Sequence, residues 1–183
     1  MPTRKKVRPL TVGEYLEGEK LSDTRHEFVG GEVVSMVGAT QAHNLIAGAL
    51  HFALYGHLRG TACRVFGGTM KLRIGDDFYY SDILVTCDKS DVEPLYVERP
   101  SLIVEVLSPS TVMRDTHEKL LAYQAIASLR DYVLVEQDRR EVRVYRRTNT
   151  AWDLASYAGT DAVEMTSVGL SLPLDEIYRG LLP

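Results

Sequence analysis

Long apolar runs are what this sequence most plainly lacks. No stretch of its 183 residues approaches the roughly 20 consecutive apolar positions that a membrane-spanning helix needs. The basic N-terminus, Met1 to Arg8, has no apolar segment behind it, so no signal peptide is expected. Cysteine is scarce: Cys63 and Cys87 are the two present, without metal-ligand spacing. Two reduced thiols in a cytoplasmic protein are the plain expectation, ahead of a single disulfide. Excess positive charge is missing too. Lys and Arg number 21 against 25 Asp and Glu, a net charge of −4. That argues against a strongly basic coat for nucleic acid but allows a local basic patch. No internal repeat or low-complexity segment interrupts the chain.

What is present is ordinary for a globular domain: 45% hydrophobic and 25% charged residues. The length fits one domain with a sizeable core. Residues 1–9 read as a loose basic tail and residues 10–183 as a single domain. Thr11 and Glu14 have capping-box spacing, predicting a short helix to about Lys20. Gly30-Gly31 between two strand-like runs signals a two-residue hairpin turn. Thr40 caps a predicted helix from Gln41 to about Leu58. Its inward stripe is His43, Ile46, Ala47, Leu50 and Leu54, so His43 reads as a hydrogen-bonded core histidine rather than a ligand.

From Cys63 the pattern turns to strands. The segment up to Ile74 reads as a second hairpin or a broken strand pair around Gly67-Gly68. Phe78 to Cys87 reads as one strand with Tyr80, Asp82 and Leu84 on one face. Residues 88–100 read as a surface connection. Leu102 to Leu107 is a strand buried on both faces. Ser108 to Thr111 ends it, and a helix begins between Thr111 and Asp115 and runs to about Ser128. Asp131 to Val135 completes a strand–helix–strand unit, which implies a parallel pair. Val142 and Val144 alternate inward against Arg143 and Tyr145. Further edge strands and a short closing helix at 173–178 follow.

Two carboxylates stand where carboxylates are costly. Glu105 shares a strand face with Ile103 and Leu107, and Asp82 sits beside Ile83, Leu84 and Val85. A buried carboxylate must be paired, protonated or bound to a cation. Side by side, two such acids repel, and a divalent cation such as Mg²⁺ relieves that, with carboxylates, a backbone carbonyl and water as its ligands. Lys119, one turn into the next helix, can bring its ammonium back over the strand end to orient a water or steady a phosphate oxygen. Asp115 has N-cap spacing and is read as a helix cap. Glu27, in the first hairpin with an inward option, is a further catalytic candidate.

At these residues the chain resembles a large family of uncharacterised bacterial proteins assigned to the PD-(D/E)XK, or restriction-endonuclease-like, nuclease superfamily. The likeness is carried by Asp82 to Val85, Glu105 to Thr111, Asp115, Lys119, Tyr123 and Asp131-Tyr132. Thr11 to Leu16, Arg25 to Gly31 and His43 add to it. The resemblance implies an α/β, mixed α+β fold: a central mixed sheet flanked by helices, with an extra N-terminal hairpin and C-terminal edge strands. It implies Asp82, Glu105 and the Val106 carbonyl as ligands of Mg²⁺ or Mn²⁺, and Lys119 standing in for a lysine that the superfamily places where this chain has Leu107. The proline usual before the first acid is Ser81 here.

The function this implies is a metal-dependent endonuclease hydrolysing DNA phosphodiester bonds, with Asp82, Glu105, Lys119 and Glu27 as its catalytic set. The alternative, suggested by Leu107 and the acidic balance, is a binding or regulatory module that keeps the fold without turnover. The arginines at 139, 140, 143, 146 and 147 offer a patch, although a solvated outer strand face explains them more cheaply. Uncovered edges between Val142 and Met165 suggest a homodimer.

Overall fold

The computed structural model describes residues 10–36, 38–108 and 114–181. The expected basic tail and the turn residues 109–111 lie outside the described residues. Helix α1 (Val12–Leu21) starts on a complete capping box: Glu14 N donates to Thr11 Oγ1, and Thr11 N donates to Glu14 Oε2. Strands β1 (His26–Val29) and β2 (Glu32–Ser35) form the expected hairpin. Its turn needs positive φ at two successive residues, and Gly30 and Gly31 supply 61° and 84°. Helix α2 (Gln41–Leu58) starts at Thr40, whose Oγ1 accepts from His43 N at 3.1 Å.

Two expectations about the middle of the chain are overturned. Strands β3 (Arg64–Gly67) and β4 (Lys71–Ile74) do not pair as a hairpin but belong to different sheets. The single strand expected from Phe78 to Cys87 breaks at Ser81-Asp82 into β5 (Asp77–Tyr80) and β6 (Ile83–Thr86), again one in each sheet. The two halves serve different cores. Phe78 packs with Tyr15 and Phe28, whereas Ile83 and Val85 join the main aliphatic core. The segment read as a surface connection also contributes a strand, β7 (Tyr96–Val97), parallel to β4. It is anchored by buried Asp91, whose carboxylate accepts from Glu98 N and Arg99 N.

Strand β8 (Leu102–Leu107) is buried throughout, as its unbroken apolar run predicts. After it come a π-turn (Arg114–Glu118) and helix α3 (Lys119–Gln124), which stops short of the expected Ser128. Strand β9 (Asp131–Glu136) returns parallel to β8. Strands β10 (Glu141–Arg147), β11 (Trp152–Ala158), β12 (Ala162–Met165) and β13 (Leu170–Pro173) and helix α4 (Leu174–Ile177) complete the described chain.

The fold is mixed α+β. A central six-stranded sheet runs β11-β10-β9-β8-β6-β3, and a five-stranded sheet runs β2-β1-β5-β4-β7. Side-chain alternation along β8 divides the core in two. Leu102, Val104 and Val106 pack with Ile46, Leu50 and Leu54 of α2, while Ile103 and Leu107 pack with Tyr123 of α3. Glu105 therefore points to the α3 side. Among the described residues no helix is long and apolar enough to cross a membrane.

The thiol expectation is also corrected. Strand β3 pairs antiparallel with β6, with Arg64 opposite Thr86. One step further out, Cys63 faces Cys87, and the two form a disulfide. Spacing in sequence could not reveal this, because it depends on which strands pair and in what register. The bond also removes the free thiols on which the cytoplasmic expectation partly rested. It closes a loop of 24 residues in sequence separation. Breaking it by Cys63→Ser with Cys87→Ser is expected to lower the unfolding free energy by about 3 kcal/mol. Urea denaturation with and without reductant checks this. The wild-type midpoint should fall under reduction and that of the double variant should not; a wild-type midpoint indifferent to reductant would show that no covalent tie exists.

Candidate active site

The site lies where the chain passes from one sheet to the other. Strand β6 pairs antiparallel with β8, with Ile83 opposite Val104. Asp82 immediately precedes β6, so continuing that register by one residue brings it alongside Glu105 of β8. Asp82 is not inside a strand, as expected, but in the break before β6. That explains its partial exposure: its side chain is 21% exposed, whereas that of Glu105 is buried at 6%. Val106 N donates to Asp82 Oδ2 at 2.7 Å.

Behind Glu105 lies a buried charge cluster. The ammonium of Lys119 is 2.9 Å from Glu105 Oε1, 3.3 Å from Glu27 Oε1 and 3.3 Å from Asp115 Oδ1. It also donates to the Tyr80 carbonyl at 3.0 Å. All four side chains are buried. The structure thus brings Glu27 and Lys119 together with Glu105 and adds Asp115. Asp115 is not a cap: it is the second residue of the π-turn, and its carboxylate turns inward to Lys119 four residues on. The shared helix face of Asp115 and Lys119 was visible in the sequence as an i,i+4 spacing. Capping was the wrong inference from it, because the start of this helix is a wide π-turn rather than a capped α-turn.

Two tyrosines brace the cluster. Tyr123 Oη donates to Glu105 Oε1 at 3.1 Å, and Tyr132 Oη donates to the Asp115 carbonyl at 3.0 Å. Their rings meet edge to face with centroids 5.1 Å apart. Burial, then the charge on Glu105, pushes both phenols well above their ordinary pKa, so they remain donors. Burial likewise pushes the Glu105 carboxyl well above the usual carboxylate range, with Lys119 opposing and Asp115 and Asp82 reinforcing the rise. For Lys119, burial works against the charge, but Glu105, Glu27 and Asp115 outweigh it and hold its pKa well above the ordinary lysine value.

His43 points inward as its stripe predicts, but towards Asp82 rather than into the core. Its Nε2 is 3.1 Å from Asp82 Oδ2. The Asp82 carboxylate, chiefly through its hydrogen bond, raises the pKa of the ring. Asp82, Glu105, Val106, His43, Asp115 and Lys119 all line one cleft of about 740 Å³.

The donor set suits a hard divalent cation. Lys119 and Tyr123 both take Oε1 of Glu105, which leaves Oε2 for another partner. With a carboxylate oxygen of Asp82 and the Val106 carbonyl this makes an open, oxygen-rich set. No group of three or more His, Cys, Asp or Glu side chains stands as a ready-made cage among the described residues. Mg²⁺ commonly takes one or two carboxylates and fills its remaining positions with water and substrate phosphate, so an open set fits it.

The arginine patch does not survive as an open cationic surface. Arg139 pairs with Glu136 and Glu141, Arg143 with Glu136, Arg146 with Asp131 and Arg140 with Asp175. Arg147 donates to the carbonyls of Leu129, Gln124 and Ile126 and lies over the Trp152 ring. The face is part-exposed, in keeping with the solvated strand face expected, and its arginines are paired with neighbouring acids.

A mixed α+β fold with acids gathered at the junction of its strands is that of the restriction-endonuclease-like nucleases. The chain belongs to the Uma2 family, described as "Putative restriction endonuclease", whose family model matches residues 12–175. It is similar to two proteins of Synechocystis sp. "Uncharacterized protein slr1290" is 34% identical over 176 residues, covering 94% of this chain and 93% of the relative. "Uncharacterized protein sll1609" is 30% identical over 159 residues, covering 84% and 90%. Among solved structures, a "putative nuclease belonging to DUF820" from Anabaena variabilis shares the fold, with a TM-score of 0.74 at 20% identity over 93% of this chain and 98% of that one.

Lys119→Met would leave three buried carboxylates without their cation, at an expected cost of about 3–5 kcal/mol near neutral pH. The sign with pH follows from Glu105. A carboxyl whose pKa is raised on folding binds its proton more tightly folded than unfolded, so its penalty is relieved as pH falls through the raised value. Removing Lys119 takes away the neighbour that most strongly opposes the rise. Urea melts at about pH 8 and about pH 5 should therefore show the deficit of the variant shrinking on acidification. A deficit equal at both pH values would mean that Lys119 stabilises by packing, not by charge.

Proposed function

We propose that this protein is a metal-dependent endonuclease that hydrolyses phosphodiester bonds of DNA. The observation that carries the reading is that Asp82, in the break just before β6, and Glu105, on β8, line one open cleft, with Lys119 against Glu105. Asp82, Glu105 and the Val106 carbonyl would hold Mg²⁺ or Mn²⁺. When bound, such an ion supplies Lewis-acid polarisation of a phosphate and a lowered pKa for water. The remaining work falls to the chain. Lys119 provides a fixed positive charge to steady a phosphate oxygen or orient water. Glu27 and Asp115 hold its ammonium in place, and Tyr123 fixes one oxygen of Glu105, leaving the other for the ion. A DNA substrate agrees with a cytoplasmic location. The exposed edge β11 is where we would place a homodimer contact, to be read by sedimentation at two concentrations.

One observation favours the second reading, a nuclease-fold binding module without turnover. The three protons of Lys119 are met by four acceptors, so its ammonium must surrender one of them to reach a substrate. The two readings separate in a cleavage assay on plasmid and single-stranded DNA with Mg²⁺ or Mn²⁺. We expect cleavage that chelator abolishes. Asp82→Asn, which leaves the buried cluster intact, should lower it by about a hundredfold or more. DNA retained in a gel shift but cut by neither wild type nor variant would establish the binding module. Cleavage insensitive to Asp82→Asn would overturn the site.

A further inference from the structure

We propose that the groove between α2 and β3 is a track for single-stranded nucleic acid, leading an unpaired strand from a hollow at the end of α2 into the catalytic cleft. The inference rests on the nucleic-acid reading above and names the form of substrate that the site takes. It does not depend on turnover.

The track follows from one helical stripe. His43, Ala47, His51, Tyr55 and Arg59 recur every four residues and so lie along one side of α2 and its C-cap. His43 and Ala47 line the cleft. Tyr55 and Arg59 line a separate hollow of about 360 Å³, with Arg64 and Phe66 of β3 on its other side. His51 joins the two. Its ring lies nearly parallel to that of Tyr55, with centroids 6.4 Å apart. It also borders Gly67, where a Cβ would sit 3.9 Å from His51 Cδ2. The next residue, Gly68, lines the cleft. From Ala47 to Arg59 the helix rises about 18 Å, room for several nucleotides of an extended strand.

The chemistry suits a strand with bare bases. Tyr55 is 58% exposed, and Phe52, three residues before it, 79%. Rings this exposed offer flat faces on which unpaired bases stack. Arg59 and Arg64 add positive charge, and neither forms an ion pair with a carboxylate among the described residues, unlike the arginines of β10. Arg64 gives one nitrogen to the carbonyls of Asp88 and Asp91, and its guanidinium lies 5.8 Å from the centroid of the Phe66 ring. The carboxylates of those two aspartates are engaged elsewhere, that of Asp88 with Arg99 and that of Asp91 with the backbone N–H groups of Glu98 and Arg99. Two arginines could also draw an acidic peptide, but exposed rings on a path continuous with the cleft favour nucleobases. The cleft holds more acids than cations, so a track outside it supplies the grip on phosphate that the cleft lacks.

The test is fluorescence anisotropy of the full chain with labelled oligothymidylate and with a duplex of the same length, in chelator, where no metal-dependent cutting occurs. We expect the single strand to bind more tightly than the duplex. Tyr55→Ala should weaken single-strand binding about fivefold to a hundredfold, and Tyr55→Phe should leave it unchanged. Arg59→Ala with Arg64→Ala should flatten the slope of log affinity against log salt by about 1.4, as two lost phosphate contacts require. The wild-type preference for single strand decides the matter even where a variant misfolds. Duplex bound as tightly as single strand, no binding of either, or an affinity indifferent to Tyr55→Ala would overturn the track and leave the cleavage assay to judge the nuclease. Polyglutamate bound in place of oligothymidylate would overturn it in favour of an acidic protein partner. A chain that binds single strands through Tyr55 but cuts no DNA would keep the track and end the endonuclease reading.

Discussion

The structure depends on a single buried ammonium. Lys119 is held by Glu105 and Asp115 from the α3 side of the central sheet, and by Glu27 and the Tyr80 carbonyl from the five-stranded sheet. Three carboxylates packed together in an apolar interior repel one another and each pays for lost hydration; one cation answers all three. Everything around it follows from that need. The π-turn swings Asp115 inward, Tyr123 donates to Glu105 and Tyr132 to the Asp115 carbonyl, and the hairpin strand β1 carries a glutamate at a position that an ordinary strand would give to a hydrophobe. Perturbed and buried acids gather where chemistry is done, so a cluster this costly to build marks the candidate site.

Much of this was legible in the sequence. The Thr11 capping box, the Gly30-Gly31 hairpin, the Thr40 cap and the apolar run of β8 each rest on local chemistry that does not depend on distant contacts. Glu105 declared itself because a carboxylate in an aliphatic strand demands a partner, and Lys119 lay at the right distance along the chain. The failures share a cause. The break at Ser81-Asp82, the separation of β3 from β4 and the facing of Cys63 and Cys87 are all matters of which strand pairs with which, and an alternating apolar pattern does not carry that information. Asp115 failed for another reason: its cheap local role as a cap concealed a long-range one, the contact with Lys119. His43 is inward and hydrogen-bonded as read, but its partner, Asp82, comes from a distant part of the chain.

The distribution of charge bears on how a polyanion could be held. The arginines along β10 and its flanks spend their charge on Glu136, Glu141, Asp131 and Asp175. Exposed pairs of this kind add little stability, but they leave little free positive charge for phosphates. The charged groups lining the cleft are Asp23, Asp82, Glu105 and Asp115 against Arg25 and Lys119. Attraction of a nucleic acid to that cleft therefore depends on what neutralises its acids.

The position of Asp82 between two strands has a mechanical meaning. The polypeptide crosses there from one sheet to the other, and Lys119 bonds to groups on both sides of the crossing. Sliding one sheet along the other would stretch a contact to a buried charge. A site that must hold its groups to within a fraction of an ångström gains from standing on such a seam. The N-terminal hairpin is tied into that seam by its own strand β1, whose Glu27 contacts Lys119.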